Sequence, residues 1–128
     1  MISREKNKRK FTSSVKDCLN GFKFININED NFKREIVLAI ITLIASYILK
    51  ISKIEFIIVI IMIGLVITTE IINTSIERLV DLVSPEYNKL AGEVKDIIAF
   101  AVLFICIISL IVGIIIFVPK IITLIGGI

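Results

Sequence analysis

Residues 54–83 read IEFIIVIIMIGLVITTEIINTSIERLVDLV, and this stretch decides the fold. Its first half is almost entirely apolar up to Thr69. Its second half carries four polar side chains at helical spacing: Glu70, Asn73, Glu77 and Asp81. No proline interrupts the stretch, and a lone glycine, Gly64, is tolerated in a membrane helix. The pattern predicts one long helix that passes from an apolar phase into water and ends at Ser84-Pro85.

The composition places most of the chain against lipid. Of its 128 residues, 56% are hydrophobic, and the mean hydropathy is +0.95. A soluble domain of this size has too little interior to hide so much apolar surface. Histidine is absent and there are only two cysteines, Cys18 and Cys106, so a zinc or haem centre is improbable. A metal bound here would be a hard cation with oxygen ligands.

Two further apolar segments flank the long helix. Residues 36–51 fall somewhat short of the ~20 residues that span a bilayer core, whereas residues 97–118 are long enough. The segment over residues 97–118 is expected to end at Pro119-Lys120. We therefore predict an all-α membrane protein that forms a single domain over residues 1–128. Its predicted parts are an amphipathic surface region over 1–34, membrane helices at about 35–51, 54–83 and 91–118, and a tail over 119–128.

The N-terminal region is basic and amphipathic. Nine of the fifteen Lys and Arg residues lie before residue 35. Apolar side chains recur at helical spacing between them: Phe11, Val15, Cys18, Leu19 and Phe22. This pattern is typical of a helix lying in the headgroup plane, although a simple basic anchor fits the composition equally well. Nucleic-acid binding is a weak alternative because no base-reading pattern accompanies the charge.

The same charges predict the orientation in the cell membrane. The loop between the first two apolar segments carries only Lys50 and Lys53, so the positive-inside rule places the N-terminus in the cytoplasm. Three spans then place residues 77–96 in the cytoplasm as well and the C-terminus outside. The polar residues of both cytoplasmic regions can therefore meet on the side of the membrane that holds ATP.

The polar side chains of the long helix form a single stripe. Glu70, Asn73, Thr74, Glu77 and Asp81 cover roughly a third of the helix circumference. Their candidate partners lie just before the other two spans: Asn28, Glu29, Lys95 and Asp96. Carboxylates at a membrane boundary are costly unless they are paired or bind cations, and carboxylates with a lysine suit magnesium and phosphate. The alternative, a solvated helix end, fits Glu77 and Asp81 better than it fits Glu70 and Asn73.

The sequence also resembles a known family. EIINTSIERLVD at 70–81, followed by KDIIAFAVL at 95–103, is similar to the signature of the bacterial integral-membrane diacylglycerol kinase and undecaprenol kinase family. NEDNFKRE at 28–35 resembles another segment of that family. The resemblance extends over roughly residues 10–120.

The resemblance implies a homotrimer of three-span subunits that transfers the γ-phosphoryl group of ATP to a lipid hydroxyl. It implies that Glu70 is the catalytic base and that Glu29 and Glu77 bind Mg²⁺. Asn73, Lys95 and Asp96 correspond to polar residues of the nucleotide site. Lys10 stands where the family has an arginine near phosphate, and Asp17 stands where some members have an aromatic residue near the nucleotide.

The resemblance leaves the substrate open. GIIIFVPK at 113–120, IEF at 54–56 and the absence of tryptophan resemble Gram-positive members, which are similar to undecaprenol kinases. Diacylglycerol is the alternative, because both lipids present a primary hydroxyl at the interface and no residue here discriminates between them. A different class, a non-catalytic membrane subunit that uses the acidic stripe for assembly, is the remote alternative.

Overall fold

The computed structural model describes residues 10–127, and all the regular secondary structure in this range is helical. Four helices follow one another: α1 (Phe11–Asn28), α2 (Asp30–Ile48), α3 (Lys53–Val83) and α4 (Lys89–Gly126). Each helix packs against the next along the chain, and α3 makes its most extensive contact with α4. Part of the predicted surface region, residues 1–9, lies outside the described residues.

The surface helix and the first apolar helix are separated by a single residue, Glu29. Its backbone is extended (φ −119°, ψ 107°), and it caps both helices. The next helix therefore begins at Asp30, five residues before the predicted start at residue 35, because the charged residues that follow are compatible with a first helical turn. The Phe22 and Phe32 rings meet edge to face, with centroids 6.0 Å apart, and join the two helices around this junction.

The long helix α3 forms as predicted, from Lys53 to Val83. A capping box starts it: Ser52 Oγ accepts from the Glu55 N–H at 3.2 Å, and the Ser52 N–H donates to Glu55 Oε2 at 2.9 Å. It ends at Val83, two residues before Pro85, because a residue that precedes proline disfavours helical geometry.

The last helix is longer than the sequence indicated. It starts at Lys89, where Asn88 Oδ1 accepts from the Leu90 N–H at 2.9 Å, and it continues through Pro119 to Gly126. The predicted end at Pro119-Lys120 is therefore wrong, and most of the predicted tail is helical. A proline removes a single backbone donor, and a membrane-type helix keeps its remaining backbone groups paired internally.

Two helices, α3 and α4, are suited to a bilayer by length and composition. Among the described residues, only these two reach the length and hydropathy expected of a span. The 19 residues of α2 are about 28 Å long, but its first turns are charged. Most large apolar side chains on the helices are exposed in the single chain, as lipid-facing or subunit-facing surfaces are.

Candidate lipid-kinase site

Three members of the polar stripe on α3 face the protein rather than solvent, whereas the side chain of Asp81, at the far end of the stripe, is 65% exposed. Glu70, Asn73 and Thr74 are 4%, 8% and 4% exposed, so three of the four buried residues of this helix are polar. A solvated helix end would expose them. Burying polar groups is costly unless they are partnered, which makes a plain solvent-facing role untenable for these three residues.

The junction residue Glu29 lies against the same face of α3. Its Oε1 is 3.5 Å from Arg78 Nη2, and its side chain is 28% exposed. The carboxylates of Glu77 and Glu29 are both near enough to Glu70 to interact with it electrostatically. The fold thus brings the predicted base, Glu70, within electrostatic range of both predicted metal ligands, Glu29 and Glu77, and these three carboxylates are called the acidic cluster below.

These acids do not form a closed metal-binding cluster within one chain. Over residues 10–127, no three His, Cys, Asp or Glu side chains are grouped closely enough to hold an ion. The oxygen-rich donor set of Glu29 and Glu77 nevertheless suits Mg²⁺, which commonly takes one or two carboxylates and completes its shell with water and substrate phosphates. The residues present therefore fit a nucleotide-associated magnesium ion better than a fully caged one.

The start of α4 contributes a basic group near this cluster. Lys95 Nζ donates to Asp81 Oδ1 at 2.5 Å, and Glu77 also interacts with Lys95 electrostatically. Asp81, the last member of the polar stripe, is thereby joined to α4. Asp96 is exposed beside Lys95.

The two predicted N-terminal contacts lie apart from Glu29 along α1. Lys10 is the exposed N-cap of this helix, and Asp17 is exposed two turns further on. At 1.5 Å per residue, they are about 28 Å and 18 Å from Glu29 along the helix axis. The acidic cluster is therefore assembled without them.

One acidic residue was missed in the sequence, Glu35 on α2. It lies at the margin of an apolar groove of about 490 Å³ between α2, α3 and α4. The groove contains few other polar side chains: Thr42, Cys106 and Ser109. Glu35 also lies close enough to Glu70 to interact with it electrostatically. The sequence did carry a signal for Glu35, because a carboxylate stands there at the start of an apolar run. The direction in which its side chain points, however, depends on how α2 packs.

Three buried oxygens around this region have no hydrogen-bond partner in the described chain: Glu35 Oε2, Asn73 Oδ1 and Thr74 Oγ1. Native proteins rarely leave buried polar atoms unpaired, and such atoms call for a specific explanation. Their position beside Glu70 suits the binding of a polar ligand where the acidic cluster meets the apolar groove.

Comparisons with known proteins relate the chain to a family of kinases. Residues 16–117 match the sequence profile of the family described as prokaryotic diacylglycerol kinase. The undecaprenol kinase of Bacillus subtilis (strain 168) is 38% identical over 92 residues, which cover 72% of this chain and 75% of that protein. The diacylglycerol kinase of Haemophilus influenzae is 34% identical over 106 residues, covering 82% and 90%. That of Escherichia coli (strain K12) is 33% identical over 91 residues, covering 71% and 75%.

The extent of these matches decides the family. The profile match runs from the second turn of α1 almost to Pro119 and includes the polar stripe, Glu29 and Lys95. The four-helix architecture and its two bilayer-length helices are those of an all-α membrane protein. The chain therefore belongs to the prokaryotic diacylglycerol kinase family and is a lipid kinase.

Proposed function

We propose that the chain transfers the γ-phosphoryl group of ATP to the hydroxyl of undecaprenol and so produces undecaprenyl phosphate. The observation that carries this proposal is the position of Glu70, a buried carboxylate that lies one helical turn beyond the groove-lining Ile67 and close enough to Glu29 and Glu77 to interact with them electrostatically. One side suits a charged nucleotide and the other suits a lipid chain. The similarity to the undecaprenol kinase of Bacillus subtilis favours this lipid.

In this mechanism Glu70 accepts the proton of the lipid hydroxyl. General-base removal typically costs ~10²–10⁴ in rate, so this one group would account for a large share of the turnover. The groove lined by Ile63, Leu110 and Phe117 would hold the lipid chain and fix the hydroxyl at the membrane boundary. Glu35, at the margin of the same groove, is placed to accept a hydrogen bond from the lipid head.

The nucleotide is held by charge and hydrogen bonds rather than by a glycine-rich loop. Glu29 and Glu77 would bind Mg²⁺, which neutralises phosphate charge when it is bound. Lys95 adds a positive charge, and Asn73 and Asp96 are the remaining nucleotide contacts of the proposal. Lys10 and Asp17 are proposed as outer contacts to the nucleotide. Phosphoryl transfer depends mainly on such positioning and charge compensation.

The proposal includes a topology and an assembly. Counting α2 as the first of three spans, the N-terminus and the acidic cluster lie in the cytoplasm and the C-terminus lies outside the cell membrane. Three subunits would cover the apolar faces that a single chain leaves exposed. A neighbouring subunit could then complete the ligand set that one chain does not close.

Diacylglycerol is the second candidate substrate. The diacylglycerol kinase of Haemophilus influenzae matches over 82% of this chain, a longer region than the Bacillus protein does. An apolar groove of this kind does not by itself distinguish a prenyl chain from two acyl chains.

Radiolabel transfer from [γ-³²P]ATP would test the substrate. The purified protein in mixed micelles should label undecaprenol with a kcat/KM at least tenfold above that for diacylglycerol, and the Glu70→Gln variant should label neither lipid. A reversed preference would assign the chain as a diacylglycerol kinase, and wild-type labelling of neither lipid would contradict both assignments.

Cysteine labelling in intact cells would test the topology. In a background lacking Cys18 and Cys106, a membrane-impermeant maleimide should react with a cysteine at Gly127 but not with one at Asn88. A side chain at Gly127 has room for this, because its Cβ would lie at ordinary contact distance, 3.4 Å, from the nearest atom. Labelling at Asn88 in sealed cells would place the acidic cluster on the side without ATP.

A further inference from the structure

A single cation, Arg78, contacts both sides of the junction between α1 and α2. Its Nη2 is 3.5 Å from Glu29 Oε1, and its Cζ lies 4.4 Å from the centre of the Phe24 ring. Phe24 belongs to the last turns of α1, whereas Glu29 is the extended residue that follows this helix. One guanidinium on α3 therefore touches the surface helix and the proposed metal ligand at the same time.

The junction needs such a contact because its own backbone does not fix Glu29 against α3. The backbone hydrogen bonds of Glu29 run to Ile25 and Lys33, within the two helices it joins, so the position of its carboxylate against α3 depends on side-chain contacts. The Glu70 carboxylate is also close enough to repel the Glu29 carboxylate. A neighbouring positive charge offsets this repulsion and favours the assembled arrangement.

We propose that Arg78 is a positioning residue that anchors the end of α1 on Phe24 and holds the Glu29 carboxylate beside Glu70 and Glu77. The inference rests on the proposed role of Glu29 as a metal ligand. A planar guanidinium can stack on a ring and pair with a carboxylate together, which an ammonium group does less well. In this role Arg78 acts through Glu29 and Phe24, the two side chains it contacts, and not on the reacting groups.

Steady-state kinetics with varied Mg²⁺ and ATP would test the positioning role. Arg78→Ala should raise the KM for Mg²⁺-ATP on the order of tenfold, because the ion pair and the ring contact are both lost, while kcat falls by less than about threefold. Arg78→Lys should recover part of this loss. Arg34→Ala on α2, an arginine paired with Asn31 one turn away at 3.5 Å, is the matched control and should leave KM unchanged.

Hydrogen exchange in detergent supplies a readout that does not depend on activity. Arg78→Ala should speed amide exchange at the end of α1, including the Glu29 N–H that donates to the Ile25 carbonyl at 2.9 Å. Phe24→Leu should have the same effect to a smaller degree, because it removes the ring but keeps apolar bulk. Arg34→Ala should not change exchange at the Glu29 amide.

The outcomes separate this inference from the proposed function. If the protein phosphorylated neither lipid, the exchange measurements would still support or contradict the anchoring role. A large fall in kcat for Arg78→Ala with unchanged exchange would mean that Arg78 acts on the reacting groups, and the positioning role would be wrong. Unchanged exchange together with an unchanged KM would also overturn it.

Discussion

Two glutamates on the same helix, Glu55 and Glu70, lie in very different surroundings. Glu55 lies in the first turn of α3, and Glu70 follows 15 residues later, about 22 Å along the axis. Glu55 completes a capping box with Ser52 and lies 3.6 Å from Lys120 Nζ. Glu70 is buried, and the nearby carboxylates of Glu29 and Glu77 oppose its charge. The first contributes to the fold, whereas the second is buried among like charges and is the proposed catalytic base.

Replacing Glu70 or Glu55 by glutamine should give the largest difference in activity between two variants. Glu70→Gln should reduce kcat by ~10²–10⁴ and leave the thermal unfolding temperature unchanged or higher, because a neutral amide relieves the repulsion from neighbouring acids. Glu55→Gln should keep nearly full activity. Both quantities can be measured on purified protein in detergent. A Glu70→Gln variant with more than about a tenth of wild-type kcat would contradict the base assignment.

The acids around Glu70 should behave as a unit. Glu29→Ala and Glu77→Ala should each weaken Mg²⁺-ATP binding by roughly 10–100-fold, and the double variant should be little worse than either, because residues that hold one ion are not additive. Titrations of nucleotide and metal would measure this. Losses that simply sum in the double variant would argue against a shared ion.

Substitutions at the N-terminal end of α3 should change the stability of the protein but not its activity. Ser52→Ala removes the side-chain half of the capping box and should lower the free energy of unfolding by about 1 kcal/mol with kcat unchanged. Ser14→Ala, within the first turn of α1, is the control, because it leaves the capping box of Ser52 and Glu55 intact. A change in kcat without a change in stability would mean that this end communicates with the acidic cluster.

The smallest expected effect is at Lys50, between α2 and α3. Its φ of 51° is in the left-handed region, which disfavours residues that carry a Cβ. Lys50→Gly should therefore stabilise the protein by roughly 0.5–1 kcal/mol without altering turnover. Thermal unfolding of this variant beside the Ser52→Ala variant would measure both effects. Destabilisation would indicate that the lysine charge matters more than the backbone strain.

The hydrophobic pattern and the composition of the sequence predicted an all-helical chain. Both can be read without the tertiary structure, because the pattern depends on neighbouring residues and the composition on a simple sum. The uninterrupted run over 54–83 requires a helix, and the spacing from Glu70 to Asp81 puts these polar residues on one face whatever surrounds them. The same reasoning was wrong at Pro119, where the helix continues. A proline weakens a helix locally, but the apolar residues on both sides still favour internal pairing of the backbone.

The sequence by itself determined an all-α membrane-type chain, its long third helix, the polar stripe and the family resemblance. The tertiary structure decided that Glu29 meets the stripe, that Arg78 joins it to Phe24, and that Glu35 lies beside the groove. Helical periodicity depends on neighbours a few residues away, so it can be recognised in the chain. The meeting of Glu29 with Arg78, 49 residues later, depends on one extended residue and on how three helices pack, which no local pattern encodes.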